Sequence, residues 1–150
     1  MSELDFSVSS KIPKEKLFTH LIDFEYYKNF FPQQINKILI TNKTSTEIQT
    51  TEELVFSSII KNNIHQKSIH KLHPNEKIIT EIIDGPAKGT LITISLSDIN
   101  SETEVIFNVD LKLSFKAMFL QPLIKKFYKR YLTSLMHKLN NRELNERDNV

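Results

Sequence analysis

The sequence predicts an α+β protein in which a curved, seven-stranded antiparallel sheet grips one long C-terminal helix, in the order β-α-α-β6-α. Three observations lead there. Leu4-Asp5-Phe6-Ser7-Val8-Ser9 alternates apolar and polar residues, the mark of a half-buried strand. From Ile35 to Phe115, segments rich in isoleucine, valine, threonine and phenylalanine are separated by short polar turns, as in an antiparallel meander. From about Met118 to Asn141 the apolar residues fall at the spacing of one broad helical face.

Each element follows from its own residues. After the first strand, Ile12-Pro13 leads into Leu17, Phe18, Leu21 and Ile22, a helical stripe with proline in the first turn. Asp23 then caps a second helix, Phe24 to Phe31, which Pro32 stops. Strands are expected near residues 35 to 41, 46 to 60, 63 to 72, 77 to 84, 89 to 98 and 104 to 115. Their turns fall at Asn42-Lys43-Thr44-Ser45, Lys61-Asn62-Asn63, His73-Pro74-Asn75-Glu76, the segment Gly85 to Gly89, and Asn100-Ser101-Glu102-Thr103. In the last strand Val105, Phe107, Val109, Leu111 and Leu113 share one face. In the final helix Leu120, Leu123, Ile124, Phe127, Tyr128, Tyr131, Leu132, Leu135, Met136 and Leu139 form the stripe, opposite Lys125, Lys126, Lys129, Arg130 and Lys138. A single antiparallel sheet leaves one apolar face open, and only this helix is long enough to cover it.

Composition narrows the function. The 150 residues suit one domain, expected over 1–141, with residues 142–150 as a frayed tail because the stripe is lost there. No cysteine is present, which excludes disulfides, thiolate catalysis and thiolate metal sites. Only three of the 20 basic residues are arginine and the net charge is +2, so no nucleic-acid partner is expected. No signal-peptide pattern opens the chain and no apolar run approaches ~18 residues, so a soluble, cytoplasmic protein is expected. His65, His70 and His73 alternate faces of a strand without a completing carboxylate, so no metal site is expected. Nucleophile elbows, phosphate-binding glycine loops and His-Glu metal motifs are all missing, and no cofactor is expected.

The order of elements resembles the START-like or Bet v 1-like (SRPBCC, helix-grip) superfamily, and within it the polyketide cyclase/dehydrase and coenzyme Q-binding proteins. The residues that carry the resemblance are Ile12-Pro13 with Glu15 and Leu17-Phe18, the aromatic-rich Asp23 to Pro32, and the turn Ile83-Asp84-Gly85-Pro86-Ala87-Lys88-Gly89 followed by the closing strand and helix. Ala87 departs from the aromatic residue often found in that turn. The resemblance implies an elongated cavity between sheet and helix that takes a lipid, an isoprenoid quinone or a polyketide-like molecule. It makes Phe31, Phe56, Glu81, Ile83, Ile94, Phe107, Val109, Phe127 and Tyr131 the ligand-contact candidates.

Each candidate has two readings. Gly85, Pro86, Ala87, Lys88 and Gly89 form either a gate over the cavity or a tight turn demanded by the sheet. Phe30 and Phe31 contact ligand or fill core, and Tyr131 offers its hydroxyl to a ligand or to the protein. Glu81, set among isoleucines in Ile78-Ile79-Thr80-Glu81-Ile82-Ile83, is either a cavity acid of raised pKa or an outward polar residue. The leading expectation is a non-catalytic carrier of a hydrophobic small molecule, monomeric or homodimeric, with transient contact at a membrane surface through the basic helix face. The alternatives are a polyketide cyclase/aromatase-type enzyme, marked by ionisable groups clustered in one cavity, and a protein- or ribosome-binding module, marked by an exposed apolar or basic patch.

Overall fold

The computed structural model describes residues 2–55 and 63–148. The elements run β1 (Ser2–Ser10), α1 (Lys14–Leu21), a 3-10 turn (Phe24–Tyr26), α2 (Tyr27–Phe30), β2 (Ile35–Lys43), β3 (Glu47–Leu54), β4 (Ile64–His73), β5 (Lys77–Asp84), β6 (Leu91–Ile99), β7 (Glu102–Leu111), a 3-10 segment (Phe115–Leu120) and α3 (Gln121–Asp148). The seven strands form one sheet in the order β1-β7-β6-β5-β4-β3-β2, with every pair antiparallel. Strands β2 to β7 are a meander, and β1 returns to the far edge with Leu4 opposite Val109 and Phe6 opposite Phe107.

Two devices bend the sheet. Register shifts interrupt the β2–β3 pairing between Ile35 and Lys37 and again between Ile40 and Asn42, and a third lies between Lys67 and Ser68 where β4 meets β5. Each is a bulge that curls a strand and increases its twist. Asn75, Asn100 and Ser101 take positive φ at the hairpin tips, which short polar side chains tolerate better than branched ones. The last pair makes a two-residue turn, since Ile99 already faces Glu102 across it.

The concave face is closed by helices. Leu132, Leu135, Met136 and Leu139 of α3 join Leu17, Phe18 and Leu21 of α1 and Ile48, Ile78, Val105 and Phe107 of the sheet in one buried cluster. Polar ties fix the helix at its edges. Ser10 Oγ donates to Asn140 Oδ1 over 2.8 Å, and the Lys138 ammonium donates to the Phe30 carbonyl.

Several boundaries differ from the sequence expectation. The second helix is split into a 3-10 turn and a four-residue α2, and Asp23 makes no capping bond because its carboxylate pairs with Arg142, Oδ2 to Nη1 3.1 Å. The strand expected over 46 to 60 is seen as β3 up to Leu54, and its end at 56–60 lies outside the described residues. Strand β6 starts two residues late because Gly89 N–H returns to the Ile82 carbonyl, closing the turn first. Strand β7 ends at Leu111 rather than 115, and Ser114 N–H bonds instead to the Pro86 carbonyl. The expected frayed tail is overturned most clearly, because α3 continues to Asp148. Glu143 is only 2% exposed, with Oε1 2.9 Å from Lys16 Nζ and Oε2 3.3 Å from His20 Nε2. Arg142 stacks over the Tyr26 ring at 3.7 Å. Ion pairs to α1 thus hold a stretch of helix that has no apolar stripe to hold it.

Candidate functional site

A cavity of about 120 Å³ lies between the sheet and α3. Strand alternation builds its floor, for Glu52, Gln66, Ser68, His70, Ile78, Thr80, Ile82, Ile92 and Ile94 are all even-numbered positions on β3 to β6 and share the concave face. Phe127, Tyr128, Tyr131, Leu132 and Leu135 come down from α3 at helical spacing, and Leu21, Phe24 and Tyr27 close the side next to β2. Most of the wall is apolar. One polar chain crosses it.

That chain runs over three neighbouring strands. The Thr50 hydroxyl donates to Glu52 Oε1 over 2.9 Å, and Thr50 Oγ1 lies 2.8 Å from His70 Nε2. His70 Nδ1 lies 2.7 Å from the Thr80 hydroxyl. A neutral imidazole has one donor and one acceptor nitrogen. With Glu52 ionised, the carboxylate can only accept, so the single Thr50 hydrogen goes to Glu52, Nε2–H donates to Thr50 and Thr80 donates to Nδ1. Protonating Glu52 allows the whole chain to reverse.

Burial sets the charge states. Desolvation pushes the Glu52 carboxyl up from 4.5 to about 7, and the Ser68 and Thr50 hydroxyls beside it offset part of the rise. His70, buried and stacked under the Phe24 ring at 3.8 Å, is pushed down from 6.5 to about 3 and stays neutral. Protein atoms crowded round the half-buried Tyr128 and Tyr131 hold both phenols above their usual range, and the Glu52 charge adds to this, so both remain hydroxyl donors. Glu52 Oε2 is buried and has no partner in hydrogen-bond geometry among the described residues. A mostly apolar cavity lined in part by Glu52 therefore has beside it one carboxyl oxygen without a hydrogen-bond partner among the described residues, which accepts when ionised and can carry the proton when neutral.

The residues expected from sequence divide. Ile94, Phe127 and Tyr131 line the cavity. Phe31 is buried one layer back, its ring 4.6 Å from that of Tyr131. Phe107 and Val109 lie opposite Ile94 and Ile92 on the concave face, but outside the lining, with Phe107 stacked on Phe6 at 4.8 Å. Glu81 is a correction, since it is exposed between Thr80 and Ile82 and points away from the cavity, and Ile83 does not reach the cavity either. Phe56 lies outside the described residues.

The loop Gly85, Pro86, Ala87, Lys88, Gly89 contributes no lining residue. Backbone bonds fasten it, Lys88 N–H to the Gly85 carbonyl and Ser114 N–H to the Pro86 carbonyl, and Ala87 is buried. Gly85 and Gly89 have φ of +111° and +95°, and Gly85 lies so close to the His65 carbonyl and Gln66 that a Cβ would meet them at 2.8 and 3.0 Å. Of the three strand histidines only His70 is inside, while His65 and His73 are exposed. Elsewhere His20, Glu143 and Glu146 bring ligand atoms within 4.8 Å of one another, but Lys16 pairs with Glu143, and Arg142 with both Glu146 and Asp23, so the group is an ion-pair clasp.

Sequence reasoning missed Glu52 and His70. A signal was present, because Ile48, Thr50, Glu52 and Leu54 share one face of β3, and Gln66, Ser68, His70 and Leu72 one face of β4. Consecutive polar residues between apolar ones on an inward face, two between Ile48 and Leu54 and three between Ile64 and Leu72, are the pattern of a buried network.

No protein-family profile matches the sequence, and no curated protein matches it. Solved structures do match. The fold is the helix-grip fold seen in START-like and Bet v 1-like proteins. The chain superposes on TTHA0849 from Thermus thermophilus with a TM-score of 0.80 at 14% identity, covering 97% of this chain and 99% of that one. It matches a START superfamily protein from Mycobacterium smegmatis at 0.72 and 17%, covering 93% and 95%, and the Zhui aromatase/cyclase from a Streptomyces species at 0.73 and 11%, covering 94% of each. No helix among the described residues is long and apolar enough to cross a membrane.

Proposed function

We propose that the protein binds a hydrophobic small molecule between the sheet and α3, with the ligand's one polar group placed against Glu52. The observation that carries this reading is the unpaired Glu52 Oε2 inside an apolar wall. Leaving a buried acceptor unsatisfied costs roughly 1 to 3 kcal/mol, and a ligand hydroxyl or carbonyl at that point would recover it. Solved structures of similar fold include a START superfamily protein and Ara h 8.0201. The volume sharpens the class. At about 120 Å³ the space is near the ~150 Å³ that holds a benzene ring, so it suits a single ring or a narrow chain, such as a quinone headgroup or one ring of a polyketide, rather than a whole lipid.

Native mass spectrometry followed by organic extraction tests the proposal. A co-purifying hydrophobe, or a thermal shift with ring-sized phenols and quinones that Glu52→Gln weakens, supports it. A ligand-free protein with no shift across lipid, quinone and phenol panels overturns it.

The Glu52 carboxyl, held to about 7, favours one second reading, a proton-transfer enzyme of the cyclase/aromatase kind in which this group takes up or delivers the substrate proton. Under that reading Glu52→Gln abolishes turnover of a poly-β-ketone substrate while binding survives. If binding and turnover fall together, Glu52 is an anchor only.

A further inference from the structure

From the structure we infer that the 3-10 segment and first turns of α3 form a docking surface for an anionic lipid bilayer. Four large apolar side chains project there into solvent: Phe115 is 90% exposed, Phe119 78%, Met118 53% and Leu123 51%. They account for four of the eight exposed large hydrophobics on the described residues and lie within nine consecutive positions. Scattered exposed apolar residues are ordinary, but a contiguous protruding group marks a contact surface.

Charge selects the occupant. Residues 112–130 carry six of the chain's 20 lysines and arginines and none of its 18 acids. The remainder therefore holds fourteen basic residues against eighteen acidic ones, although the chain as a whole is nearly neutral. Lys116 is exposed within the same nine positions, and Lys126, Lys129 and Arg130 are exposed on the turns that follow. A second copy docking here would set like charges face to face, and a nucleic acid offers no apolar layer to Met118 and Leu123. An anionic bilayer meets both features, taking the apolar side chains below its headgroups and the cations among its phosphates.

Position links the surface to the cavity without depending on it. Leu123 is one helical turn, about 6 Å, from Phe127, the first α3 residue of the cavity wall. A protein seated this way would hold the near end of its cavity against the membrane.

The test is co-sedimentation of the full chain with vesicles of phosphatidylcholine and phosphatidylglycerol at about 3:1, with pure phosphatidylcholine as control. Binding to the anionic vesicles only, weakened as salt rises from about 0.1 to 0.5 M and reduced at least about tenfold in Phe115→Ser/Phe119→Ser, supports the inference. The double variant should keep its circular dichroism and its thermal shift with cavity ligands, because neither residue lines the cavity. Failure to bind, binding indifferent to lipid charge and to the double variant, or the same patch driving only self-association or RNA binding overturns it. No cavity ligand enters the vesicle assay, so its outcome and that of the thermal-shift panel stand apart.

Discussion

Glu52 and His70 are joined through one hydroxyl, that of Thr50, which sits 2.9 Å from the carboxyl and 2.8 Å from the imidazole. The two groups are driven by the same burial in opposite directions, each toward its neutral form. Their effects on stability therefore oppose one another. From pH 4.5 to about 7 the native Glu52 keeps a proton that the unfolded chain releases, so raising pH through that window weakens folding. From pH 6.5 down to about 3 the native His70 refuses a proton that the unfolded chain takes up, so lowering pH through that window weakens folding.

Where the windows overlap, from 4.5 to 6.5, the slopes cancel and the parent protein should show little contribution from this pair. Glu52→Gln removes only one of them. The variant should lose stability as pH falls through the overlap, at up to ~1.4 kcal/mol per unit, and should gain on the order of 2 to 3 kcal/mol over the parent near pH 8. Urea unfolding at three pH values checks this, and parallel profiles for the two proteins would contradict it.

Cavity size should be separable from stability. Leu135→Ala removes a fully buried side chain from the cavity wall, so it should cost about 2 to 5 kcal/mol and admit two-ring ligands that the parent refuses. Ile94→Phe fills the same space and should abolish the thermal shift with ring-sized ligands while lowering the melting temperature little. A panel of phenols and naphthols of increasing size reads both effects.

The two glycines should not be equivalent. Gly85→Ala brings a Cβ against the His65 backbone carbonyl at 2.8 Å, whereas at Gly89 the nearest atom is the movable Cδ of Lys112 at 3.2 Å. Both substitutions strain a positive φ, costing about 1 kcal/mol, but Gly85→Ala should lose roughly 2 kcal/mol or more beyond Gly89→Ala in denaturant unfolding. Equal losses would mean that backbone angle alone matters.

The C-terminal clasp should be asymmetric as well. Glu143→Ala removes the nearer carboxylate from buried His20, 3.3 Å from its ring nitrogen, and leaves only Glu146 at 3.8 Å, so it should cost about 1 to 3 kcal/mol. Lys16→Ala removes a half-exposed partner of the same carboxylate and should cost under about 1 kcal/mol. Calorimetry of the two variants distinguishes a buried tie from a surface pair.

The sequence made the architecture readable because its periodicities are long and clean. Leu4, Phe6 and Val8 reveal β1, the odd-numbered residues from Val105 to Leu111 reveal β7, and the stripe from Leu120 to Leu139 reveals α3. Periodicity reports which residues share a face, but not which face two strands turn toward each other. Hence Glu81 looked as good an inward acid as any, although the register of β5 turns it to solvent, and Glu52 passed unnoticed among threonines and glutamates. The helix end was misjudged for a related reason. Apolar periodicity stops at Leu139, whereas the residues that hold the last turns, Arg142 and Glu143, are fastened by Asp23 and by Lys16 and His20 of α1, more than 100 positions earlier, and no local pattern encodes that.

Helix α3 is held more tightly at its C-terminal end than at its start. Of its buried residues Ile124 and Leu132 lie in the first half, whereas Leu135, Met136, Leu139 and Glu143 lie in the second, and the three that are at most 1% exposed, Leu135, Met136 and Leu139, are all there. The 28 residues form a beam about 42 Å long, anchored beside α1 and lightly seated where Phe127 and Tyr128 overhang the cavity. Unfastening the overhanging end leaves the most deeply buried residues of the helix in place, so the chamber can open for less free energy than unfolding requires. Amide hydrogens should accordingly exchange in a gradient along the helix, fastest from Gln121 to about Tyr131 and slowest near Met136, with bound ligand flattening the gradient from its loose end.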